Sequence, residues 1–439
     1  MDLNSYFSGK KITVMGLGLL GRGVGDARFL AEKGAELIVT DLKSAEELAE
    51  SVAQLKDFPN VTFVLGEHRL EDFRNRDFIL KAAGVPLDSP YVKEAEQAGI
   101  PIKMSASWFM ELSEIPVVGV TGTRGKSTVT HMIHAILKEA GVPVLLGGNV
   151  RGVSTLALLE EATDEKIALF ELDSWQLQGF GDAKLSPNVA VFTTFLSDHM
   201  NYYKDDMGRY LRDKANIFLY QEGTDTLVLG SQCAELVEEA YGDRIKAHTI
   251  VAGAHDFRAD WKLQVPGEHN RYDAALAVEA TRALHIEDEV IERGLAAFPG
   301  VPGRLELVRE IDGVRFYNDT NSTTEDATLA ALAALREEKR PVALIMGGAD
   351  KGLSMEALLG ALPEETVHVT LLAGTGTDRI KGRLPGAPVF ATLEEAVKDA
   401  RTHAPEGGAV LFSPAFASFG LFKNEYDRGD QFDALVRAL

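Results

Sequence analysis

One glycine-rich segment constrains this chain more than any other feature. Gly119-Val-Thr-Gly-Thr-Arg-Gly-Lys-Ser-Thr128 follows an apolar run that ends at Val120, and it precedes a helical pattern. A glycine turn between a strand and a helix directs backbone amides toward phosphate oxygens at the helix N-terminus. The common phosphate-binding pattern has a glycine at the position of Val120. It also places a phosphate-binding lysine and a magnesium-binding hydroxyl where Lys126 and Ser127 stand. The segment therefore predicts an ATP site within an α/β domain.

A second glycine-rich turn lies near the beginning of the sequence. Gly16-Leu-Gly-Leu-Leu-Gly21 follows a short apolar strand pattern, and Asp41 ends the next predicted strand about 20 residues later. This is the full pattern of a dinucleotide-binding turn. It fits a nicotinamide or flavin cofactor, the diphosphate of another nucleotide, or a glycine turn with a structural role alone. The pattern indicates a diphosphate more strongly than it indicates redox chemistry.

Strand and helix patterns alternate along the whole chain and predict an α/β protein of three consecutive domains. At 439 residues the chain is too long for one ordinary core. We expect a Rossmann-like domain over residues 1–104, a central P-loop-type ATPase domain over 105–302, and a Rossmann-like C-terminal domain over 303–439. The segment Ala297–Gly303, rich in proline and glycine, is interpreted as a linker.

The same patterns set the bounds of individual elements. Buried strands are predicted where short apolar runs end at a polar or turn residue, at Phe78–Lys81, Ile167–Glu171, Val189–Phe195 and Ala409–Phe412. Helices are predicted where apolar residues recur with the helical period, at Thr128–Ala140, Met207–Tyr220 and Ala274–Leu284.

Charge and cysteine content exclude several classes of protein. Acidic residues outnumber basic ones, 66 to 45, which gives a formal net charge of −21. A field of that sign repels phosphate backbones, so we expect no nucleic-acid partner. The single cysteine, Cys233, excludes an intrachain disulfide and a cysteine-rich metal site, and we interpret it as a small buried side chain. The sequence has no apolar signal core and no run of ~18 apolar residues, so we expect a cytoplasmic protein without a membrane partner.

Two further strands end in residues that could complete a metal site. Glu171 ends the predicted strand Ile167–Glu171, and the pair Asp198-His199 follows the strand that begins at Val189. Ligands collect at the carboxyl ends of strands in open α/β sheets, so these side chains are expected near the phosphates. Two alternatives stay open, a helix-capping or surface role for Glu171 and a hydrogen-bonded structural role for His199.

Together these blocks resemble the Mur ligases of peptidoglycan synthesis. The resemblance rests on short blocks that occur in order: Thr121–Thr128, Glu171–Leu177, Asp198-His199, Gly267–Asn270, Gly303–Glu306, Asn318–Thr320, Gly347–Lys351, Ser413–Ser418 and Phe422–Gly429. The last block and the form Ser174-Trp-Gln-Leu177 favour the members of the family that add D-glutamate to UDP-N-acetylmuramoyl-L-alanine. The resemblance covers all three predicted domains.

What the resemblance implies is an ATP-dependent amide ligase that uses Mg²⁺ and acts through an acyl phosphate. Its substrates would be ATP, glutamate and UDP-N-acetylmuramoyl-L-alanine, and we expect a monomer. The family's catalytic roles fall on Lys126, Glu171, His199 and Lys214, and its magnesium ligands are Ser127, Glu171, His199 and Lys214, the last as a carbamylated lysine. From the sequence alone, Lys214 is an ordinary solvated helix lysine.

The resemblance also assigns the binding residues of each substrate. ATP contacts fall on Gly122, Thr123, Gly125, Lys126, Ser127, Thr128, Asn149, Asp273, Arg304 and Asp319. The sugar nucleotide would meet Gly18, Leu19, Leu20, Asp41, Leu42 and Lys43. The amino acid would meet Lys351, Ser418 and Thr323. The first glycine turn then holds a uridine diphosphate and needs no redox cofactor.

Several positions depart from the family's pattern. Arg124 replaces an asparagine in the phosphate loop, and other departures are Leu20, Ala83, Asp173, Trp175, Asp273, Asn321, Thr324 and Glu425. Asn321 stands where the family has a lysine, which removes a cation from a region that meets carboxylates.

Three other classes of function remain as alternatives. A nicotinamide dehydrogenase would use the first glycine turn but leaves the second unexplained. A P-loop ATPase or nucleotide-sensing module would hydrolyse ATP without a sugar nucleotide. A sister ligase, adding another amino acid or extending folate with glutamate, shares the phosphate loop and Glu171.

Overall fold

The computed structural model describes residues 2–439 and divides into two compact units. The first contains the chain up to Asp256 together with Asp273–Gly294, and the second contains Phe257–Tyr272 and Leu295–Leu439. Parallel sheets flanked by helices fill both units, which confirms the predicted α/β class. The domain bounds themselves stay a prediction. Within residues 2–439, no helix has the length and apolar character needed to cross a membrane.

A five-stranded parallel sheet forms the N-terminal part of the first unit. Its strands lie in the order β3-β2-β1-β4-β5. The strands are β1 Lys11–Met15, β2 Glu36–Asp41, β3 Val61–Leu65, β4 Phe78–Lys81 and β5 Ile102–Lys103. The helices are α1 Leu3–Phe7, α2 Arg22–Glu32, α3 Ala49–Leu55 and α4 Pro90–Gln97. Because β1 is central, the glycine turn after it lies at the middle of the sheet's carboxyl edge.

A six-stranded parallel sheet forms the rest of the first unit, in the order β11-β10-β9-β6-β8-β7. Its strands are β6 Val117–Thr121, β7 Val144–Gly148, β8 Ile167–Glu171, β9 Val189–Phe192, β10 Thr226–Gly230 and β11 His248–Ala252. Its helices are α5 Ser105–Leu112, α6 Lys126–Glu139, α7 Ser174–Ala183, α8 Met200–Tyr203, α9 Met207–Ala215 and α10 Ala234–Tyr241. Strand β6 lies between β8 and β9, so the phosphate loop is flanked by the ends of both.

One hydrophobic cluster runs through both sheets of the first unit. Helix α5 joins them, because Trp108 contacts Phe7 and Phe78 of the N-terminal part while Phe109 contacts Phe170 of β8. Cys233 is buried, as predicted, and burial raises the pKa of its thiol to about 12.

The second unit is built on another six-stranded sheet, in the order β12-β13-β17-β14-β15-β16, in which only the β12–β13 pair is antiparallel. Its strands are β12 Glu306–Ile311, β13 Val314–Asn318, β14 Val342–Gly347, β15 His368–Leu372, β16 Val389–Phe390 and β17 Ala409–Phe412. Its helices are α13 Glu325–Glu337, α14 Glu356–Glu365, α15 Thr375–Ile380, α16 Leu393–His403 and α17 Glu425–Ala438. Two helices carry the chain between the units, α11 Glu268–Ala283 and α12 Asp288–Ala296.

The predicted strands at Phe78–Lys81, Ile167–Glu171 and Ala409–Phe412 have the bounds that the structure gives. The strand predicted over Val189–Phe195 ends at Phe192, because the backbone N–H and C=O of Phe195 bond to the side chain of Gln232 instead of a neighbouring strand.

Helix bounds were predicted less well. The helix predicted from Thr128 begins at Lys126, since Gly125 caps it in a left-handed conformation. The helix predicted over Met207–Tyr220 ends at Ala215, where the backbone changes to tighter turns. The helix predicted from Ala274 begins at Glu268.

Candidate functional site

The phosphate loop requires glycine at two of its positions. Gly122 has φ +146° and Gly125 has φ +84°, both in regions that L side chains rarely adopt. A Cβ on Gly122 would lie 1.9 Å from Thr193 Oγ1, and one on Gly125 would lie 2.4 Å from Asp273 Oδ1. The loop is therefore closely enclosed, and Asp273, one of the predicted ATP contacts, lies directly against it.

Residues that follow β9 hold the loop in place. Thr123 N–H donates to Thr194 O at 2.7 Å, and Arg124 N–H donates to Thr194 Oγ1 at 2.9 Å. The Thr123 hydroxyl bonds with Leu196 O at 3.1 Å and with Tyr210 Oη at 3.3 Å. Thr123 thus supports the loop from inside, and Thr194 belongs to the site although the motif did not reveal it.

Lys126 begins helix α6 and reaches back over the loop. Its Nζ donates to Gly122 O at 3.0 Å and to Thr123 O at 3.2 Å. Ser127 and Thr128 follow in the first turn of the helix, and Ser127 is nearly buried. A cation over converging amides at a helix N-terminus is the arrangement that binds terminal phosphates.

Glu171 is a buried carboxylate at the end of β8, paired in register with Val120 of β6. Asn149 donates to it twice, from its backbone N–H to Glu171 O at 2.6 Å and from Nδ2 to Oε1 at 3.3 Å. The capping alternative for Glu171 is wrong, because Asp173 caps α7 in a capping box with Gln176. Glu171 and Asn149 form one unit beside the phosphate loop.

His199 lies on the other side of the loop, in a left-handed conformation that caps the short helix α8. Its ring lies at 52° to the ring of Trp175, with 4.7 Å between centroids, and contacts Tyr210. Burial lowers the pKa of its imidazole, so the ring is neutral and able to bind a metal at neutral pH. These aromatic contacts define the surroundings of the ring.

Arg124, a departure from the family's pattern, pairs with Asp198 at 2.7 Å. Burial opposes ionisation of Asp198, but His199 and Arg124 together lower its pKa to about 2. Asp198 in turn accepts the backbone N–H of His199 at 2.8 Å. The arginine therefore ties the loop to the segment that carries His199.

Lys214 is fully buried on α9, contrary to its solvated appearance in the sequence. Its Nζ donates to Gly122 O at 2.7 Å and lies 4.9 Å from the Tyr210 ring centroid. Burial, and then the charge of Lys126, lower the pKa of Lys214 well below its usual range. The structure thus brings Lys214 and Lys126 to the same carbonyl of the phosphate loop.

The first glycine turn is organised by Asp41. Its carboxylate accepts the backbone N–H groups of Leu17 at 2.9 Å, Gly18 at 3.1 Å and Lys43 at 3.0 Å. Leu19 and Leu42 are exposed, at 61% and 66% of their surface. Asp41 therefore shapes both loops at this sheet edge, and two apolar side chains lie free beside them.

A cavity of about 200 Å³ opens beside this turn, and its lining comes from both sheets of the first unit. Lys81 lines it from the end of β4, where it is buried and donates to Val85 O at 2.8 Å. Burial lowers the pKa of Lys81 to about 8. Sequence reasoning missed this lysine because a strand-end lysine is ordinarily exposed.

Several contacts join the first turn to the residues after β7. Arg22 donates to Asn149 Oδ1 at 2.5 Å, and Leu20 O accepts Gly152 N–H at 2.9 Å. Asp26 of α2 is buried and accepts hydroxyl hydrogen bonds from Ser105 and Ser154. Asn149 therefore contacts the first turn through Arg22 and the strand end through Glu171.

In the second unit, Asp319 is buried after β13. It accepts Leu305 N–H at 3.0 Å and the Ser413 hydroxyl at 2.7 Å, and burial raises its pKa to about 6. Arg304, directly before Leu305, is thereby positioned by the carboxylate.

The three predicted amino-acid-binding residues lie close together in that unit. Lys351 Nζ donates to Thr323 Oγ1 at 2.7 Å, and a bridge between Ala349 and Ala417 brings the loop of Lys351 beside buried Ser418. Sequence reasoning missed Arg428, a buried arginine that donates to Phe416 O and Thr320 O and so connects the loops after β17 and β13. The one sequence feature that could have identified Arg428 is its position within the Phe422–Gly429 block.

Three family models match the chain in succession. They are the Mur ligase MurD-like N-terminal domain over residues 10–104, the Mur ligase middle domain over 120–282, and the Mur ligase glutamate ligase domain over 303–416.

Individual proteins of known name are similar over the whole length. A UDP-N-acetylmuramoylalanine--D-glutamate ligase of Roseiflexus sp. is 37% identical, covering 98% of this chain and 99% of the relative. One of Borreliella burgdorferi is 34% identical, covering 97% of each chain. Among solved structures, the UDP-N-acetylmuramate-alanine ligase MurC of Thermotoga maritima has a TM-score of 0.62 at 17% identity, covering 98% of this chain and 99% of its own, and shows the shared fold.

Proposed function

The chain belongs to the Mur ligase family, and we propose on that premise that this ATP-dependent ligase joins D-glutamate to UDP-N-acetylmuramoyl-L-alanine. The observation that carries the proposal is one constellation in the first unit. Lys126 lies over an enclosed phosphate loop, with buried Glu171 on one side and His199 on the other. The near full-length similarity to ligases of that name supports the choice of substrates.

The donor set in this constellation fits a magnesium site. Glu171 offers a buried carboxylate, Ser127 a nearly buried hydroxyl, and His199 a neutral imidazole. Lys214 joins them if its amine is carbamylated, because the modification turns a buried amine beside Gly122 into an anionic oxygen ligand. When bound there, Mg²⁺ would neutralise negative charge on the ATP phosphates.

The protein's own residues then act on the transferring phosphate. The carboxylate of the sugar-nucleotide substrate attacks the γ-phosphorus, and ADP leaves. Lys126 and the loop amides offset the charge that develops on the transferring group. Asn149 is placed to orient the Glu171 carboxylate through its Nδ2. The amino group of glutamate then attacks the acyl phosphate, forming the amide and releasing phosphate.

Each substrate is proposed to use its own part of the chain. The Gly16–Gly21 turn, with Leu19, Leu42 and Lys43, would hold the uridine diphosphate sugar. The C-terminal residues Lys351, Thr323 and Ser418 would hold the amino acid, while Arg304 and Asp319 would contribute to the nucleotide site. We take residues 1–104, 105–302 and 303–439 as the three domains. The enzyme is proposed to act as a cytoplasmic monomer.

One assay tests the substrate assignment. ATP and UDP-N-acetylmuramoyl-L-alanine are offered with a panel of amino acids of both configurations, and phosphate release and product mass are measured. We expect turnover with D-glutamate alone and no phosphate release when the muramoyl substrate is omitted. Turnover with a different amino acid would replace the assignment with a sister ligase. Phosphate release at the same rate with and without the muramoyl substrate would contradict ligase chemistry.

A further inference from the structure

A cluster of two histidines and an aspartate lies in the second unit and contains none of the residues assigned to the ligase reaction. His368 begins β15, and Asp399 and His403 lie one turn apart in the last part of α16. One nitrogen of each imidazole and one oxygen of Asp399 lie within 4.8 Å of one another. Within residues 2–439, this is the one place where three side chains of these types bring their ligand atoms so close together.

We propose that this cluster is a binding site for a divalent transition-metal ion such as Zn²⁺. Two imidazoles and one carboxylate form a donor set that suits Zn²⁺, which leaves the fourth tetrahedral position to water. The hard ions Mg²⁺ and Ca²⁺ prefer oxygen ligands, so a site with two nitrogens discriminates against them. The site would bind its ion independently of ATP and of the sugar nucleotide.

Neighbouring groups hold His368 and Asp399 in position, and His403 has one contact with the backbone. Thr370 of β15 donates its hydroxyl to Asp399 Oδ2 at 2.7 Å, and His368 Nε2 lies 2.7 Å from the same oxygen. His403 Nδ1 lies 2.9 Å from the backbone oxygen of Asp399. A supporting contact such as that of the Thr370 hydroxyl is the kind that orients metal ligands in known sites.

Burial divides the cluster into a fixed part and a movable part. The side chains of His368 and Asp399 are each 16% exposed, whereas that of His403 is 48% exposed. The two rings are stacked, with centroids 3.8 Å apart. A metal binds in the plane of an imidazole, so ligation by both rings requires the exposed His403 to turn out of the stack. The ion would then fix the last turn of α16 to the beginning of β15.

Zn²⁺ binding to the full-length chain tests the proposal. Competition with a chromophoric chelator, in excess Mg²⁺, gives the number and affinity of Zn²⁺ ions bound by the wild type and by His403→Ala and Asp399→Asn. We expect each variant to bind one ion fewer, or to bind it at least about tenfold more weakly. Thr370→Val should weaken binding by about tenfold while all three ligands remain.

His255→Ala is the matched control, because His255 also lies beside an aspartate, Asp256, at 3.4 Å. It should leave Zn²⁺ binding unchanged. His403 is half exposed, so its alanine variant should fold, and thermal melting without metal checks this. Added Zn²⁺ should raise the melting temperature of the wild type more than that of His403→Ala. Equal Zn²⁺ binding by the wild type, His403→Ala and Asp399→Asn would overturn the proposal, as would the absence of Zn²⁺ binding by the wild type.

Discussion

The two glycine-rich turns of the first unit end on the same helix-capping conformation and differ in their chemistry. Each follows a strand in the middle of its sheet, and each ends on a left-handed glycine that caps a helix, Gly21 with φ 83° and ψ −16° and Gly125 with φ 84° and ψ −20°. In both, early amides of the turn are held by residues at the end of the neighbouring strand. Asp41, the last residue of β2, does this for the first turn, and Thr194 after β9 does it for the second.

The two turns differ in the first residue of the helix that follows each of them. Arg22 extends from the first turn to Asn149, whereas Lys126 folds back over its own loop. The first turn therefore has no cation over its amides from this position, while the second has one where the γ-phosphate is proposed to lie. The backbone motif identifies a turn that is suited to phosphate. The side chains that surround it decide whether the turn only holds a phosphate or also supports its transfer.

Replacing a turn glycine by alanine should give the largest difference in stability and activity between the two turns. In Gly122→Ala the new Cβ would meet Thr193 Oγ1 at 1.9 Å and a backbone that disfavours L side chains. We expect a destabilisation of about 3 kcal/mol or more and loss of ATP turnover. In Gly18→Ala the new Cβ has no atom within 4 Å, so only the left-handed φ of +66° adds about 1 kcal/mol. Urea unfolding and phosphate release measure both. Equal losses in the two variants would contradict the difference in enclosure.

Lys126→Met removes the cation from the second turn. We expect kcat to fall by about 10²- to 10³-fold, because the charge that develops on the transferring phosphoryl group loses a fixed partner. Arg22→Met changes the corresponding residue of the first turn and serves as the matched control, with a loss in kcat below about tenfold. Steady-state kinetics with both substrates saturating provides the measurement. A loss of similar size in the two variants would mean that the position, and not the chemistry of the turn, sets the effect.

The sequence was sufficient to identify both turns because glycines in left-handed conformations leave a local pattern. Strand ends such as Glu171 were also found locally, since an apolar run that stops at a charge marks the edge of a sheet. Lys214 could not be found in this way. Its burial results from the packing of α9 against α7 and from the contact of its amine with the phosphate loop, which no pattern within α9 reveals.

The structural role of Asp41 could not be predicted from the sequence either. The dinucleotide pattern expects an acidic side chain at that position to meet a ribose. In the structure its carboxylate accepts three backbone N–H groups from the two loops. The same is true of Thr194, whose hydroxyl supports the phosphate loop from a segment about 70 residues away. Contacts over such separations depend on which strands are neighbours in the sheet, and periodicity does not give that order.

Asp41→Asn should weaken the first turn and spare the second. The substitution removes the negative charge that three backbone N–H groups share, and hydrogen bonds to charged groups contribute about 1.5–3 kcal/mol. We expect the KM for the sugar nucleotide to rise about tenfold, with kcat and the KM for ATP nearly unchanged. The measurement is initial velocity with each substrate varied in turn. A parallel rise in the KM for ATP would show that binding at the second turn depends on the structure of the first.

The smallest expected difference concerns the helices that follow the turns. Five residues after the capping glycine, α2 carries buried Asp26, and α6 carries buried Thr130. Burial raises the pKa of Asp26 from 3.8 to about 6. Between these values the folded state holds more protons than the unfolded state, so the unfolding free energy should increase as the pH is lowered from about 8 to 5. That contribution is lost as the pH rises through about 6.

Lowering the pH from about 8 to 5 should raise the unfolding free energy by about 1 kcal/mol through Asp26. The substitution Asp26→Asn should remove this increase. Asp319, whose pKa burial also raises to about 6, contributes the same trend to both proteins and cancels in the difference. Urea unfolding of the wild type and of Asp26→Asn at the two pH values gives that difference. Thr130→Val, at the matching position of α6, should change with pH in parallel with the wild type. If Asp26→Asn also changed in parallel, the pH dependence would not originate in α2, and the two helices would be equivalent in this respect.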